Sequence, residues 1–165
     1  MAALEQILPW LLSQPAADKN QQKHAAALLE ASSNLKLKGL YQAKLNLYRG
    51  QLALQQNHTD NAKRYLTQAI EQEPMLGAAL LALAKVYQKL NLSQQTELYF
   101  VRASAIPEVK LQALLANAQL QIEQSNYPQA LELLQQAVRV EPNRRDLQHN
   151  VRELQKIVMQ GQYAS

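Results

Sequence analysis

Cysteine is absent from the 165 residues, which excludes disulfides and any cysteine-ligated zinc or iron–sulfur centre. Its absence does not choose a compartment, since cytosolic and periplasmic proteins can both lack it. Glycine and proline are scarce, at four and six residues, so neither a collagen-like nor a low-complexity chain fits. Aromatics make up only 5% of a chain that is 47% hydrophobic. Ala, Leu, Gln and Glu dominate instead, all of which favour helix, and there is almost nothing to build strands from. No run approaches the ~18–20 apolar residues that a transmembrane helix needs. Charge of either sign is modest. The net +4 leans slightly toward acidic partners and does not make a nucleic-acid binder. The length suits one domain with a buried core.

What the chain does have is a period. In Asn126 to Pro142, Ala130, Leu134, Ala137 and Val138 fall at helical spacing on one face, and Pro142 ends the pattern. Thr59 to Pro74 is an upstream copy, in which Ala62, Leu66, Ala69 and Pro74 each precede their counterparts by 68 residues. Thr96, Phe100 and Ala103 lie midway, so the repeat is 34 residues long. Small residues recur at that interval in the first helix of each unit (Gly50, Ala84, Ala118) and early in the second (Ala62, Thr96, Ala130). Antiparallel helices approach closely only where side chains are small, so these positions mark helix crossings. Leu52, Val86 and Leu120 repeat too, as do Leu47, Leu81 and Leu115.

The domain plan follows in chain order. Residues 1–17 form an apolar segment whose stripe of Leu4, Ile7, Leu8, Trp10 and Leu11 is too short to be stable alone. It packs on the repeats, on a second copy of the chain, or on a partner. Membrane insertion is not expected, because the segment has no Lys or Arg to meet anionic lipid. Nor is a signal peptide, since it carries Glu5 and lacks a basic start. Residues 18–42 hold a capping helix or degenerate repeat, with a helix from Asp18 to about Ala31. The next helix begins near Leu35, or else at Gly39. Three repeats span 43–76, 77–110 and 111–144, with turns at 56–60, 89–93 and 124–127. Residues 145–160 form a closing helix with Leu147, Val151, Leu154 and Val158 on one face, and 161–165 are a tail.

These residues resemble the tetratricopeptide repeat (TPR) family over 43–144. In the third unit Leu114, Ala118, Tyr127, Ala130, Leu134, Ala137 and Pro142 occupy family positions, while Asn117 and Gln121 stand where large apolar and aromatic residues are usual. The second unit matches at Leu80, Leu83, Ala84, Tyr87, Phe100 and Ala103, but has Thr96 for the usual Ala, and Pro107 comes one residue early. The first keeps Gly50, Ala62, Leu66, Ala69 and Pro74, with Asn46 at an aromatic position. The resemblance implies an all-α superhelix of antiparallel helix pairs whose first helices line a concave, ligand-binding face.

On such first helices, the residues turned away from the second helix are Leu47, Leu81 and Leu115, then Gln51, Lys85 and Gln119, then Leu54, Gln88 and Ile122, with Lys89 at the edge. An apolar floor with amide and ammonium rims fits an amphipathic helix or extended peptide with aliphatic anchors, and Lys85 and Lys89 would select against basic ligands. The same leucines are also consistent with internal packing, or with a groove filled by the chain's own amino terminus. Family members that hold the terminal carboxylate of heat-shock chaperones use Lys, Asn and Arg. Leu47, Gln51, Ala82, Gln112 and Ala116 stand at the matching positions, so that clamp is missing.

Chemistry is not indicated. His24, His58 and His149 are scattered, and no metal-ligand, phosphate-loop or nucleophile-elbow motif occurs. Glu71, Glu73, Glu97, Glu132 and Glu141 read as solvated. The basic residues Arg139, Arg144, Arg145, Arg152 and Lys156 are interleaved with Glu141, Asp146 and Glu153, and read as ordinary surface. Asn57-His58-Thr59 and Asn91-Leu92-Ser93 match the glycosylation sequon only formally. The sequence therefore predicts a non-enzymatic, cofactor-free adaptor or assembly factor, bacterial in style, that binds a protein or peptide and no nucleic acid. The alternative is a homodimeric structural module joined through the amino-terminal stripe. A cytoplasmic location is expected, with a soluble domain of a longer anchored protein as the other possibility.

Overall fold

A computed structural model describes residues 19–32 and 39–162. The stripe of Leu4, Ile7, Leu8, Trp10 and Leu11 lies outside them. Among the described residues eight helices follow one another: α1 (Lys19–Ala31), α2 (Leu40–Gln55), α3 (Thr59–Gln72), α4 (Gly77–Lys89), α5 (Ser93–Ser104), α6 (Lys110–Glu123), α7 (Tyr127–Val140) and α8 (Arg145–Gln162). They divide into two units, one through Leu92 and one from Ser93 onward. Among the described residues no helix is long and apolar enough to cross a membrane.

The turns show the 34-residue period most directly. Asn57, Asn91 and Ser125 each adopt positive φ, at 59°, 56° and 60°. After each, an amide reaches back into the preceding helix: His58 to the Ala53 carbonyl at 2.8 Å, Leu92 to Tyr87 at 3.0 Å and Asn126 to Gln121 at 2.8 Å. The left-handed residues themselves donate to Leu54, Gln88 and Ile122. This is the Schellman arrangement, which satisfies helix-end carbonyls that would otherwise be orphaned. Asn suits it because its short polar side chain tolerates the left-handed region. Ser125 is the less suited occupant.

In the first unit, α1 packs on α2, α2 on α3, α3 on α4, and α2 also touches α4. Gly39 (φ 58°) precedes α2, and its carbonyl accepts the first helical bond from Ala43 at 3.0 Å. Of the two starting points the sequence allowed, α2 uses Gly39, a conformation that only glycine adopts without strain. α2 and α3 cross at Gly50, where an added Cβ would lie 2.5 Å from Leu66 Cγ and 3.4 Å from the Ala62 carbonyl. In the same unit Ala62, Leu66 and Ala69 of α3 and Ala79, Leu83 and Ala84 of α4 are fully buried. Asn46, also buried, donates from Nδ2 to Gln72 Oε1 at 3.3 Å, which explains a polar residue at an aromatic position.

The second unit packs α5 on α6, α6 on α7 and α7 on α8. Its core joins Leu114 and Ala118 of α6 to Ala130, Leu133, Leu134 and Ala137 of α7, and to Leu147 and Leu154 of α8. Leu147, Val151 and Leu154 of α8 thus pack together on the core of this unit. Two departures from the family pattern, Asn117 and Gln121, are buried and bonded: Gln121 Nε2 donates to Asn117 Oδ1 at 3.5 Å, and Asn126 Nδ2 donates to Gln121 Oε1 at 2.8 Å.

Candidate functional site

The sequence-derived groove residues fall on α2 (Leu47, Gln51, Leu54), α4 (Leu81, Lys85, Gln88, Lys89) and α6 (Leu115, Gln119, Ile122). In the first unit, Leu47 and Leu81 are each only 5% exposed. Side chains at that depth shape the helix packing more than they meet a ligand. Gln51 and Leu54 are half-buried, and Lys85, Gln88 and Lys89 are exposed. Lys89 is brought onto the end of α2, where its ammonium donates to the Leu54 carbonyl at 3.3 Å and to Asn57 Oδ1 at 2.9 Å. A cation at a helix carboxyl end opposes the negative pole of the macrodipole. Lys89 therefore ties α4 to the α2 turn.

In the second unit, Leu115, Gln119 and Ile122 line a cleft of about 500 Å³ between α6 and α8, with Tyr127 and Leu134 of α7 behind it. The far wall is α8, which supplies Leu147, Asn150, Glu153, Leu154 and Ile157. Leu115 and Ile122 are half-buried, with one side packed on the core. Ile157 is 47% exposed, an aliphatic side chain left in water at the cleft edge. Sequence reasoning missed this wall because α8 read only as a closing helix. Its available signal was Ile157, an apolar residue outside the Leu147–Val158 stripe.

The charges around this cleft are largely satisfied. Arg144 donates from Nε to Asp146 Oδ1 at 3.0 Å, holds the other Asp146 oxygen with a second nitrogen, and reaches Glu141 at 3.4 Å. The hydrogen bond from Arg144 lowers the Asp146 carboxyl to about 2, and the same contact pushes the Arg144 guanidinium higher still. Glu153 accepts from Lys156 Nζ at 2.8 Å, a hydrogen bond that holds its carboxyl below the ordinary glutamate range. Gln119 Nε2 donates to Glu123 Oε1 at 3.1 Å, so aliphatic surface, the Gln119 side-chain carbonyl and the Asn150 amide are left to face a ligand. Among the described residues no three His, Asp or Glu side chains gather where they could hold a metal ion.

No protein-family model and no curated protein matches the sequence. Solved structures do match. The first TPR of Spaghetti (RPAP3), bound to the HSP90 peptide SRMEEVD, is similar over 74% of this chain and 97% of that one, with a TM-score of 0.63 and 16% identity. YrrB, described as a TPR protein with an unusual peptide-binding site, is similar over 80% of this chain and 66% of that one, with a TM-score of 0.63 and 17% identity. The Arabidopsis OM64 TPR domain aligns over 71% of this chain and 97% of that one, at TM-score 0.59 and 20% identity. The chain has the all-helical TPR fold. At these identities the likeness is one of fold.

Proposed function

We propose that the chain is a non-enzymatic peptide-binding module that works as an adaptor or assembly factor, and that the α6–α8 cleft is its principal contact site. The observation that carries this reading is the exposed aliphatic wall of Ile157 facing Leu115 and Ile122 across a cleft whose charges are already paired. A preformed apolar cleft with a few amides at its rim suits the aliphatic anchors of an amphipathic helix or extended peptide. Two of the similar solved structures are themselves described with a peptide or a peptide-binding site, which favours the same use of the fold. In the first unit, Gln51, Leu54, Lys85 and Gln88 are the accessible members of the corresponding surface, and Lys89 acts mainly by bracing α2. The terminal-carboxylate clamp is not part of this reading, because Leu47 and Ala82 offer no hydrogen-bond donor there and are both buried.

The test selects peptides from a displayed library on the intact chain and measures their affinity for the wild type and for Ile157→Lys. Ile157 is exposed enough that the substitution leaves the core untouched, whereas Leu81→Lys would bury a charge and unfold the unit. Losing one aliphatic anchor is worth about 1.5–3 kcal/mol, so binding weakens roughly ten-fold or more. Equal affinity of the two folded proteins for every selected peptide would remove the cleft from the function.

A further inference from the structure

The cleft just described faces α6. On the other side of α8, a second cavity of about 460 Å³ opens between α7 and α8, lined by Gln135, Val138, Arg139, Gln148, Val151 and Arg152. Val138 and Val151 form its apolar floor, half-buried against the core. Arg139 stands on the α7 wall and Arg152 on the α8 wall, both exposed. No carboxylate lines the cavity.

The distribution of ion pairs gives this surface its character. By sequence, five basic residues near α8 are interleaved with three acids, which reads as a balanced surface. The structure distributes those acids unevenly. Asp146 and Glu141 are taken by Arg144, and Glu153 by Lys156. Arg152 lends Glu153 some electrostatic support, but the carboxylate oxygen is on Lys156. Among the described residues neither Arg139 nor Arg152 is in ion-pair contact with a carboxylate. The result is an apolar seat between two guanidinium groups, each free to take a carboxylate in bidentate fashion.

We propose that this outer α7–α8 cleft is a second docking site, for an acidic segment of a protein partner that seats one aliphatic side chain on Val138 and Val151 and places a carboxylate on each of Arg139 and Arg152. The valine floor is what distinguishes such a segment from a phosphate backbone, which has no aliphatic group to bury there. Gln135 and Gln148 supply amides for the backbone of an extended segment. This site does not depend on the α6–α8 cleft, and a partner that engaged both would gain from effective concentration.

The test is an NMR titration of the intact chain with a capped pentapeptide of one leucine between two pairs of glutamates. Controls replace the leucine by serine, or the glutamates by lysines. The expected result is movement of the amide signals of Val138, Arg139, Val151 and Arg152 with the leucine–glutamate peptide alone. Binding should fall about ten-fold or more in the Arg139→Glu/Arg152→Glu variant, once circular dichroism has shown that variant to be folded. Equal movement with the serine peptide would overturn the aliphatic seat. No movement at millimolar peptide, or movement only with a single-stranded oligonucleotide, would overturn the proposal as a whole.

Discussion

Leu66 occupies the space a side chain on Gly50 would need: a Cβ there would sit 2.5 Å from Leu66 Cγ and 2.7 Å from its Cδ2. Leu66 is fully buried and its Cγ lies near the root of the side chain, so it cannot swing aside as a flexible tip would. The approach of α2 to α3 therefore depends on the missing methyl. Gly50→Ala gains about 1 kcal/mol of helix propensity but overpacks the crossing by about 1–3 kcal/mol, for a net loss of up to roughly 2 kcal/mol. Urea unfolding checks the sign. In a Leu66→Ala background the clash disappears and Gly50→Ala becomes neutral or favourable, a coupling that a double-mutant cycle measures directly.

The turn after α6 carries strain that the two earlier turns relieve better. Asn57 and Asn91 suit a positive φ, whereas Ser125 holds φ 60° without that tolerance. Ser125→Gly should stabilise the chain by about 1 kcal/mol, read as a higher denaturant midpoint with unchanged slope. A fall in the midpoint would mean that the serine side chain contributes more than its backbone costs.

Asn117 and Gln121 act as a pair. Replacing Gln121 alone by Leu strands a buried Asn117 amide and should cost about 1–3 kcal/mol. Replacing both by Leu removes that donor and acceptor together, leaves the exposed Asn126 amide to bond water in place of Gln121 Oε1, and should be close to neutral. Thermal melts of the two variants separate these cases, and equal losses in both would show that packing volume, not hydrogen bonding, sets the effect.

The Arg144–Asp146 pair makes a small, salt-sensitive contribution with a defined pH window. Asp146 has a folded value of about 2, below its ordinary 3.8. A carboxyl depressed by folding adds stability that is present above the ordinary value and lost as pH falls through the folded one. Wild type should therefore exceed Asp146→Asn slightly at pH 7, and the gap should close between about pH 4 and pH 2. Both residues are exposed, so the gap should also narrow in high salt.

The features legible in the sequence are the ones that recur locally. Gly50 with Ala62, and Ala118 with Ala130, disclose the approach of α2 to α3 and of α6 to α7 because close approach forbids larger side chains, and the turns at Asn57, Asn91 and Ser125 fall within the predicted stretches. Depth was less readable. Leu47, Leu81 and Leu115 share one repeat position, yet the first two are buried while Leu115 reaches the cleft, since what covers each depends on the neighbouring helix. The α8 wall was hidden because Ile157 sits in a helix with no repeat counterpart. The allocation of Glu141, Asp146 and Glu153 among five cations needed rotamers that spacing does not supply.

The most direct test of the central claim is an amide and methyl NMR map of the wild-type chain with the tightest library-selected peptide. The signals of Leu115, Gln119, Ile122, Asn150 and Ile157 should move together and saturate at one dissociation constant. Saturable shifts that leave all five unmoved would contradict that claim, and would place recognition on another face of the protein.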